Sequence, residues 1–138
     1  MDVLTSAQRS RCMSAIRNKD TKPELIVRRL VHSLGYRYRL HRKDLPGRPD
    51  LTFPARRKVI FVHGCFWHRH RCRKGRSLPA TRVGFWQAKL DSNKHRDADT
   101  RQKLRRVGWQ VLVVWECQTA AEKLERLAKR ISQFLEGG

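Results

Sequence analysis

Between positions 63 and 72 the chain carries His63, Cys65, His68, His70 and Cys72, a density of imidazole and thiol that points to metal chemistry. Thiolate and imidazole together suit Zn²⁺, which takes four tetrahedral ligands of sulfur and nitrogen. The segment offers two thiolates and a choice of imidazoles, so a further ligand has to come from elsewhere. Cys117, just past the apolar run Trp109-Gln-Val-Leu-Val-Val-Trp115, stands where a strand end could deliver it. A full set of protein ligands makes a closed, structural zinc site, so any chemistry needs another ion. In a reducing compartment the cysteines read as ligands rather than disulfides, leaving Cys12 alone near the N-terminus.

A second constellation is acidic. Asp50 follows a proline at the start of a short apolar stretch, and His63 ends the next one. A carboxylate on exposed strand ends of a strongly basic chain fits a Mg²⁺ ligand facing phosphate, because Mg²⁺ prefers oxygen donors. Glu24, His63 and His68 complete the candidates for moving a proton. Each also has a plain structural role: an ion pair to arginine for Asp50, a capping partner for Glu24, spare zinc ligands for the two histidines.

These side chains need elements to hold them. Thr5 and Gln8 are spaced as a capping box for a short N-terminal helix, and Thr21-Lys-Pro-Glu24 opens another with Val27, Leu30, Val31 and Leu34 on its apolar face. Gly35 supplies its stop. Tyr36, Tyr38 and Leu40 alternate as a half-exposed strand, Asp50–Phe53 forms a short one, and Val59–Val62 reads as a central strand. Residues 63–83 are loop-like. Helical pattern resumes near Phe85 and runs to Gly108, with a break at Ser92-Asn93. Trp109–Trp115 is a second buried strand, with both tryptophans in the core. An amphipathic helix with Leu124, Leu127, Ile131 and Phe134 closes the chain. Helix, three strands, helix, strand, helix predicts an α/β sandwich around a mixed sheet. Neighbouring apolar strands would bring Cys117 beside the His/Cys loop.

At 138 residues the chain is one domain, with residues 1–20 as a basic arm that orders on DNA. A formal charge of +20 repels itself unless a polyanion answers it, and nucleic acid is the natural partner. Basic residues are spread along the chain rather than gathered on one amphipathic helix, which argues against a membrane surface. No secretory signal opens the sequence, so a cytoplasmic protein is expected, associated with the nucleoid and monomeric.

The string His63-Gly-Cys-Phe-Trp-His68, with His70, Cys72, Pro79-Ala-Thr-Arg82, Phe85-Trp86 and Trp109-Gln-Val-Leu-Val-Val-Trp-Glu-Cys117, closely resembles the very short patch repair (Vsr) endonucleases. Leu45-Pro-Gly-Arg-Pro-Asp50 matches too, as do Arg9-Ser10 through Met13, Ala15-Ile16 to Asp20-Thr21, and Glu24. The likeness spans nearly the whole chain. It implies a restriction-endonuclease-like, three-layer α/β core that nicks double-stranded DNA 5′ to the thymine of a T:G mismatch. By position, it implies that Asp50 and the backbone carbonyl of Val62 hold catalytic Mg²⁺. His68 would be the general base, His63 would assist at the phosphate, and Glu24 would orient the group. The structural zinc ligands would be Cys65, His70, Cys72 and Cys117, which selects His70 among the imidazoles.

The resemblance further implies that Phe66, Trp67 and Trp86 insert into the base stack as a wedge, with Met13 approaching from the minor-groove side. Unstacking costs least at a mismatch, so a wedge is itself selective. Lys89, Asn93 and Asp97 would read nearby bases. Where restriction-type nucleases carry a second acid and a lysine, this chain has Phe61-Val62-His63, so histidine must take the lysine's role. Two other classes explain the charge: a non-catalytic zinc module binding DNA, and an RNA-binding protein. Neither accounts for the Asp/His set.

Overall fold

The computed structural model describes residues 20–137. Met13, Cys12, the Thr5/Gln8 helix start and the basic arm up to residue 19 lie outside the described residues. Helix α1 spans Lys22–Ser33, with Thr21 as N-cap accepting the Glu24 backbone N–H at 3.4 Å. Glu24 departs from a simple capping box: its carboxylate takes the N–H of Asp20, 3.3 Å away, rather than that of Thr21. Gly35, at φ +91°, ends the helix in a conformation that suits glycine.

Four strands follow the order β1 (Arg39–Leu40), β2 (Leu51–Phe53), β3 (Lys58–His63) and β4 (Gln110–Trp115). The first three pair antiparallel, while β3 and β4 run parallel, joined through helix α2 (Val83–Arg106). Helix α3 (Leu124–Glu136) closes the chain. This is the mixed sheet with helices that the element order predicts. In the parallel register His63 lies opposite Trp115, so the carboxyl ends of both apolar strands meet at one edge of the molecule.

The period of two along each strand divides the core. Ile60, Leu112 and Val114 face Val27 and Val31 of α1 and Leu127, Ile131 and Leu135 of α3. Val59 and Phe61 face the opposite way and pack with Leu104 of α2 and with Trp109. Each fully buried leucine or valine contributes roughly 1.5–3 kcal/mol of burial, which makes these layers the frame on which the loops hang. The buried Lys58 joins β3 to the end of α3, donating from Nζ to the carbonyls of Phe134 at 2.6 Å and Leu135 at 3.1 Å and to that of Gly137.

Two expectations need correction. The Tyr36–Leu40 strand shrinks to Arg39–Leu40, because β2 is short and offers pairing only as Arg39↔Thr52 and Leu40↔Leu51. Tyr38 turns its ring edge to Phe53, with centroids 6.5 Å apart. The helix break at Ser92-Asn93 is absent: α2 is continuous over 24 residues. Local propensity there is a weak force, and Asn93 anchors the helix by donating Nδ2 to the Trp67 carbonyl at 3.1 Å. Only Leu90 and Leu104 of α2 are buried. Between them, at helical spacing, Asp97, Thr100 and Arg101 line a cavity, which explains why the apolar stripe is interrupted.

Candidate active site

The loop after β3 turns back on itself through the His68 N–H to the Gly64 carbonyl (3.2 Å) and the His70 N–H to the Cys65 carbonyl (3.0 Å). That turn points His70 inward beside Cys65, while β4 delivers Cys117. The ligand atoms of Cys65, His70, Cys72 and Cys117 all lie within 4.8 Å of one another. His70 Nδ1 stands 3.7 Å from Cys65 Sγ and 3.5 Å from Cys117 Sγ. A tetrahedral zinc with bonds of about 2.0–2.3 Å spaces its ligand atoms by about 3.5–3.8 Å, so the donor set fits that ion.

The surroundings fit it as well. The Cys117 N–H points at Cys65 Sγ (3.4 Å), and the Cys65 N–H donates to Glu116 Oε1 (3.2 Å). Glu116 Oε2 accepts from Lys74 at 2.8 Å. Gly75 packs against the His70 backbone so closely that a side chain there would collide with it. Burial pushes the Cys65 thiol up to about 12, and a bound cation would favour its thiolate form. Burial, and then Arg71, hold His70 below the ordinary histidine value, the neutral form that a metal needs. His63 and His68 stand apart from this set, grouped instead with Asp97.

The second cluster lies at the same sheet end, on the α2 side. Asp50 precedes β2, and its Oδ2 accepts the Val62 N–H at 2.7 Å, so the hairpin itself aims the carboxylate. Its side chain is only 16% exposed. Burial, reinforced by Glu24, raises its pKa to about 8 despite that N–H. A buried acid whose other oxygen has only the His41 imidazole near it, at 4.0 Å, fits a divalent-ion ligand. Glu24, by contrast, is already engaged by Arg28 and, at 2.9 Å, by His41 Nε2. Asp20, Glu24 and His41 also converge, but the Arg28 guanidinium occupies their midst.

His63 and His68 stack face to face, with centroids 3.8 Å apart and planes within 6°. His63 is buried, its Nδ1 is without a hydrogen-bond partner, and burial, then His68 and Arg101, hold its pKa well below 6.5. His68 Nδ1 meets Asp97 Oδ2 at 2.5 Å. Asp50, Val62, His63, His68 and Asp97 share a cavity of about 390 Å³ with the cations Lys43, Arg48, Arg96 and Arg101. Gly47 forms part of its wall, where a side chain would collide with Thr100. The arrangement can hold a phosphodiester, a divalent ion and a proton acceptor together.

Beside the cavity, Phe66, Trp67 and Trp86 form a ring cluster with centroids 5.1–5.9 Å apart, and Phe85 joins it at 5.5 Å from Trp86. Phe85 is exposed at 47%, with Arg82 4.2 Å above its ring. Asn93 supports this cluster from α2 through Trp67, and Lys89 lies half-buried on the same helix.

The structure thus gathers Asp50, Val62, His63, His68 and Asp97, and places Glu24 one contact away through His41. Sequence reasoning missed His41, which links Glu24 to Asp50 (Nε2 to Oδ1 4.0 Å) while its own N–H donates to the Asp50 carbonyl at 3.3 Å. It also missed the pairing of Asp97 with His68. His41 adopts φ +47°, a left-handed turn that no local pattern announces. Asp97 carries a legible signal: its helical spacing from Leu90 and Leu104 puts it on the inner face.

The family model described as "DNA mismatch endonuclease Vsr" matches residues 1–74. The chain is 48% identical over 135 residues to the type II nicking enzyme V.XorIIP of Xanthomonas oryzae pv. oryzae, covering 98% of this chain and 97% of the relative. It is 42% identical over 139 residues to the DNA mismatch endonuclease Vsr of Escherichia coli, covering 99% and 88%. Similarity to the type II nicking enzyme V.NmeAIP of Neisseria meningitidis is 38% over 135 residues, covering 94% and 96%.

Proposed function

The chain belongs to the Vsr family of DNA endonucleases, and from that premise we propose that it nicks one strand of double-stranded DNA 5′ to the thymine of a T:G mismatch. In this reading residues 1–138 act as one restriction-endonuclease-like domain, with zinc at Cys65, His70, Cys72 and Cys117 and Mg²⁺ at Asp50 and the Val62 carbonyl. The observation that carries it is the shared cavity: a carboxylate fixed on a strand N–H, a histidine held by an aspartate, and four cations facing one space.

A divalent ion bound there would neutralise phosphate charge and lower the pKa of water. The remaining work falls to side chains on the page. Asp97 accepts the His68 Nδ1–H, which leaves Nε2 as the lone pair that takes a proton from the attacking water. His63, kept neutral by burial, packs flat on His68 and fixes its plane. Lys43, Arg48, Arg96 and Arg101 hold the phosphodiester through charge-assisted hydrogen bonds. Glu24 acts through His41, orienting the Asp50 end of the cavity. The resemblance adds Met13 on the minor-groove side of the DNA and Lys89 among the groups that read bases near the mismatch.

The ring cluster of Phe66, Trp67 and Trp86 serves as the wedge. Half-exposed aromatic faces beside a phosphate site gain by stacking on bases, and a mismatch opens at least cost. Asn93 supports that wedge by its bond to the Trp67 carbonyl, and Asp97 serves His68. A second reading, a nicking enzyme for another base target, draws on relatives named type II nicking enzymes.

Asp50→Ala separates a nuclease from a zinc-containing DNA-binding module. The variant should bind mismatched duplex with wild-type affinity within about threefold and fail to nick it. Nicking that survives the substitution would remove Asp50 from the mechanism and the reading with it.

A further inference from the structure

Trp115 belongs to neither cluster of titratable groups, yet it touches both. It is the last residue of β4, half-buried, on the same sheet face as Val111 and Val113. One side of its indole stacks on His70, with centroids 4.3 Å apart and planes within 20°. His63 meets it edge to face at 5.3 Å and 74°. His63 in turn stacks on His68 at 3.8 Å. His70, Trp115, His63 and His68 therefore form an unbroken chain of rings from the cysteine–histidine cluster into the cavity.

The geometry explains why a tryptophan stands there. The parallel register sets Trp115 opposite His63, and its large flat ring reaches both His63 and His70. Aromatic pairs at such separations are worth roughly 0.5–1.5 kcal/mol beyond burial and are directional, so each ring restricts the tilt of the next. His63 needs that restraint: its Nδ1 is buried without a hydrogen-bond partner, so ring packing holds its plane where hydrogen bonding at that nitrogen does not. His68 is fixed at one nitrogen by Asp97 and across its face by His63.

We propose that Trp115 is a positioning residue that transmits the geometry of the cysteine–histidine cluster to the His63–His68 stack. It touches no substrate in this scheme. It sets the orientation of the proton acceptor, and the metal held by His70 sets Trp115. The inference rests on the proposed roles of His63 and His68, but its structural half stands without them.

Two variants test it in the full-length, zinc-loaded chain. Trp115→Leu removes the ring and keeps an apolar side chain, while Trp115→Phe keeps a smaller ring. His70→Cys is a further probe, because a Cys₄ set still holds zinc but lacks the stacked imidazole. The activity-independent readout is the nuclear Overhauser contact between the His63 and His68 ring protons, recorded with zinc content and melting temperature. We expect Trp115→Leu and His70→Cys to keep one zinc per chain while losing much of that contact, and Trp115→Phe to retain it. Under single-turnover conditions kcat for nicking should fall about 10–100-fold in Trp115→Leu with KM little changed, and Phe should recover most of it. A folded, zinc-loaded Trp115→Leu or His70→Cys with a wild-type His63–His68 contact would overturn the proposal. If the wild type nicks no mismatched duplex, the functional reading fails, and the ring contact alone still decides this inference.

Discussion

Asp50→Asn should stabilise the protein in the absence of divalent ions while abolishing its chemistry. The wild-type carboxyl is buried and has a pKa of about 8, against about 3.9 in an unfolded chain. An acid with a raised folded pKa binds more protons in the fold than out of it, so its contribution is complete below pH 4 and is lost as pH rises to 8. At 1.36 kcal/mol per pH unit, the loss by pH 7 reaches up to about 4 kcal/mol. Asparagine accepts the Val62 N–H as the carboxylate does but never ionises. The difference in melting temperature between variant and wild type should therefore widen from pH 5 to pH 8. At about 4 °C per kcal/mol for a chain of this size, it should reach on the order of 10 °C. Taking the difference removes the opposing contribution of His63, whose lowered pKa takes stability away as pH falls below 6.5. Differential scanning calorimetry of zinc-loaded protein in chelator-free, Mg²⁺-free buffer measures it. Mg²⁺ should then raise the melting temperature of the wild type only. Two curves that run parallel from pH 5 to pH 9 would refute the argument that burial is what marks Asp50.

Other expectations follow from the same geometry. His68→Ala should lower single-turnover nicking by about 10²–10⁴-fold, and Asp97→Asn by about 10–100-fold, with DNA affinity little changed in gel-shift titrations. Cys65→Ser should cut zinc content, read by atomic absorption, from one per chain toward none, and should lower the melting temperature because metal binding is folding free energy. Lys58→Met should destabilise the fold by roughly 1–3 kcal/mol in urea titration, since it strands the carbonyls at the end of α3, while nicking by the folded protein is unchanged. Trp86→Ala should reduce the preference for mismatched over matched duplex more than it reduces overall binding, as competition titration would show.

Residue chemistry made the cysteine–histidine cluster legible, because thiols and imidazoles packed into ten positions have few other uses. Cys117 was reachable by one further step, the adjacency of two apolar strands, and the parallel pairing of Val62 with Val114 provides it. Among His63, His68 and His70 the residue types are identical and left the choice open; the resemblance pointed to His70, and the backbone turn from Gly64 to His70 brings that ring beside Cys65. His41 and Glu24 sit 17 positions apart and meet through a left-handed residue, a conformation with no signature in side-chain pattern. The continuous α2 was hidden for a different reason. Its inner face turns polar at Asp97, Thr100 and Arg101 because it faces a cavity of about 390 Å³ rather than core, and a hydrophobic period cannot register that. Trp115 reads as core by type and strand position, and it is half-buried between two histidines instead.

The central claim, that this chain cuts one strand at a T:G mismatch, is tested most directly by strand-specific nicking. End-labelled duplexes differing only in T:G or T:A are incubated with the protein and Mg²⁺, and each strand is sized on a denaturing gel. The account predicts a single cut 5′ to the thymine of T:G, no cut in T:A or in the opposite strand, and no product with Asp50→Ala. Equal cutting of both duplexes, or cutting of both strands, would contradict it.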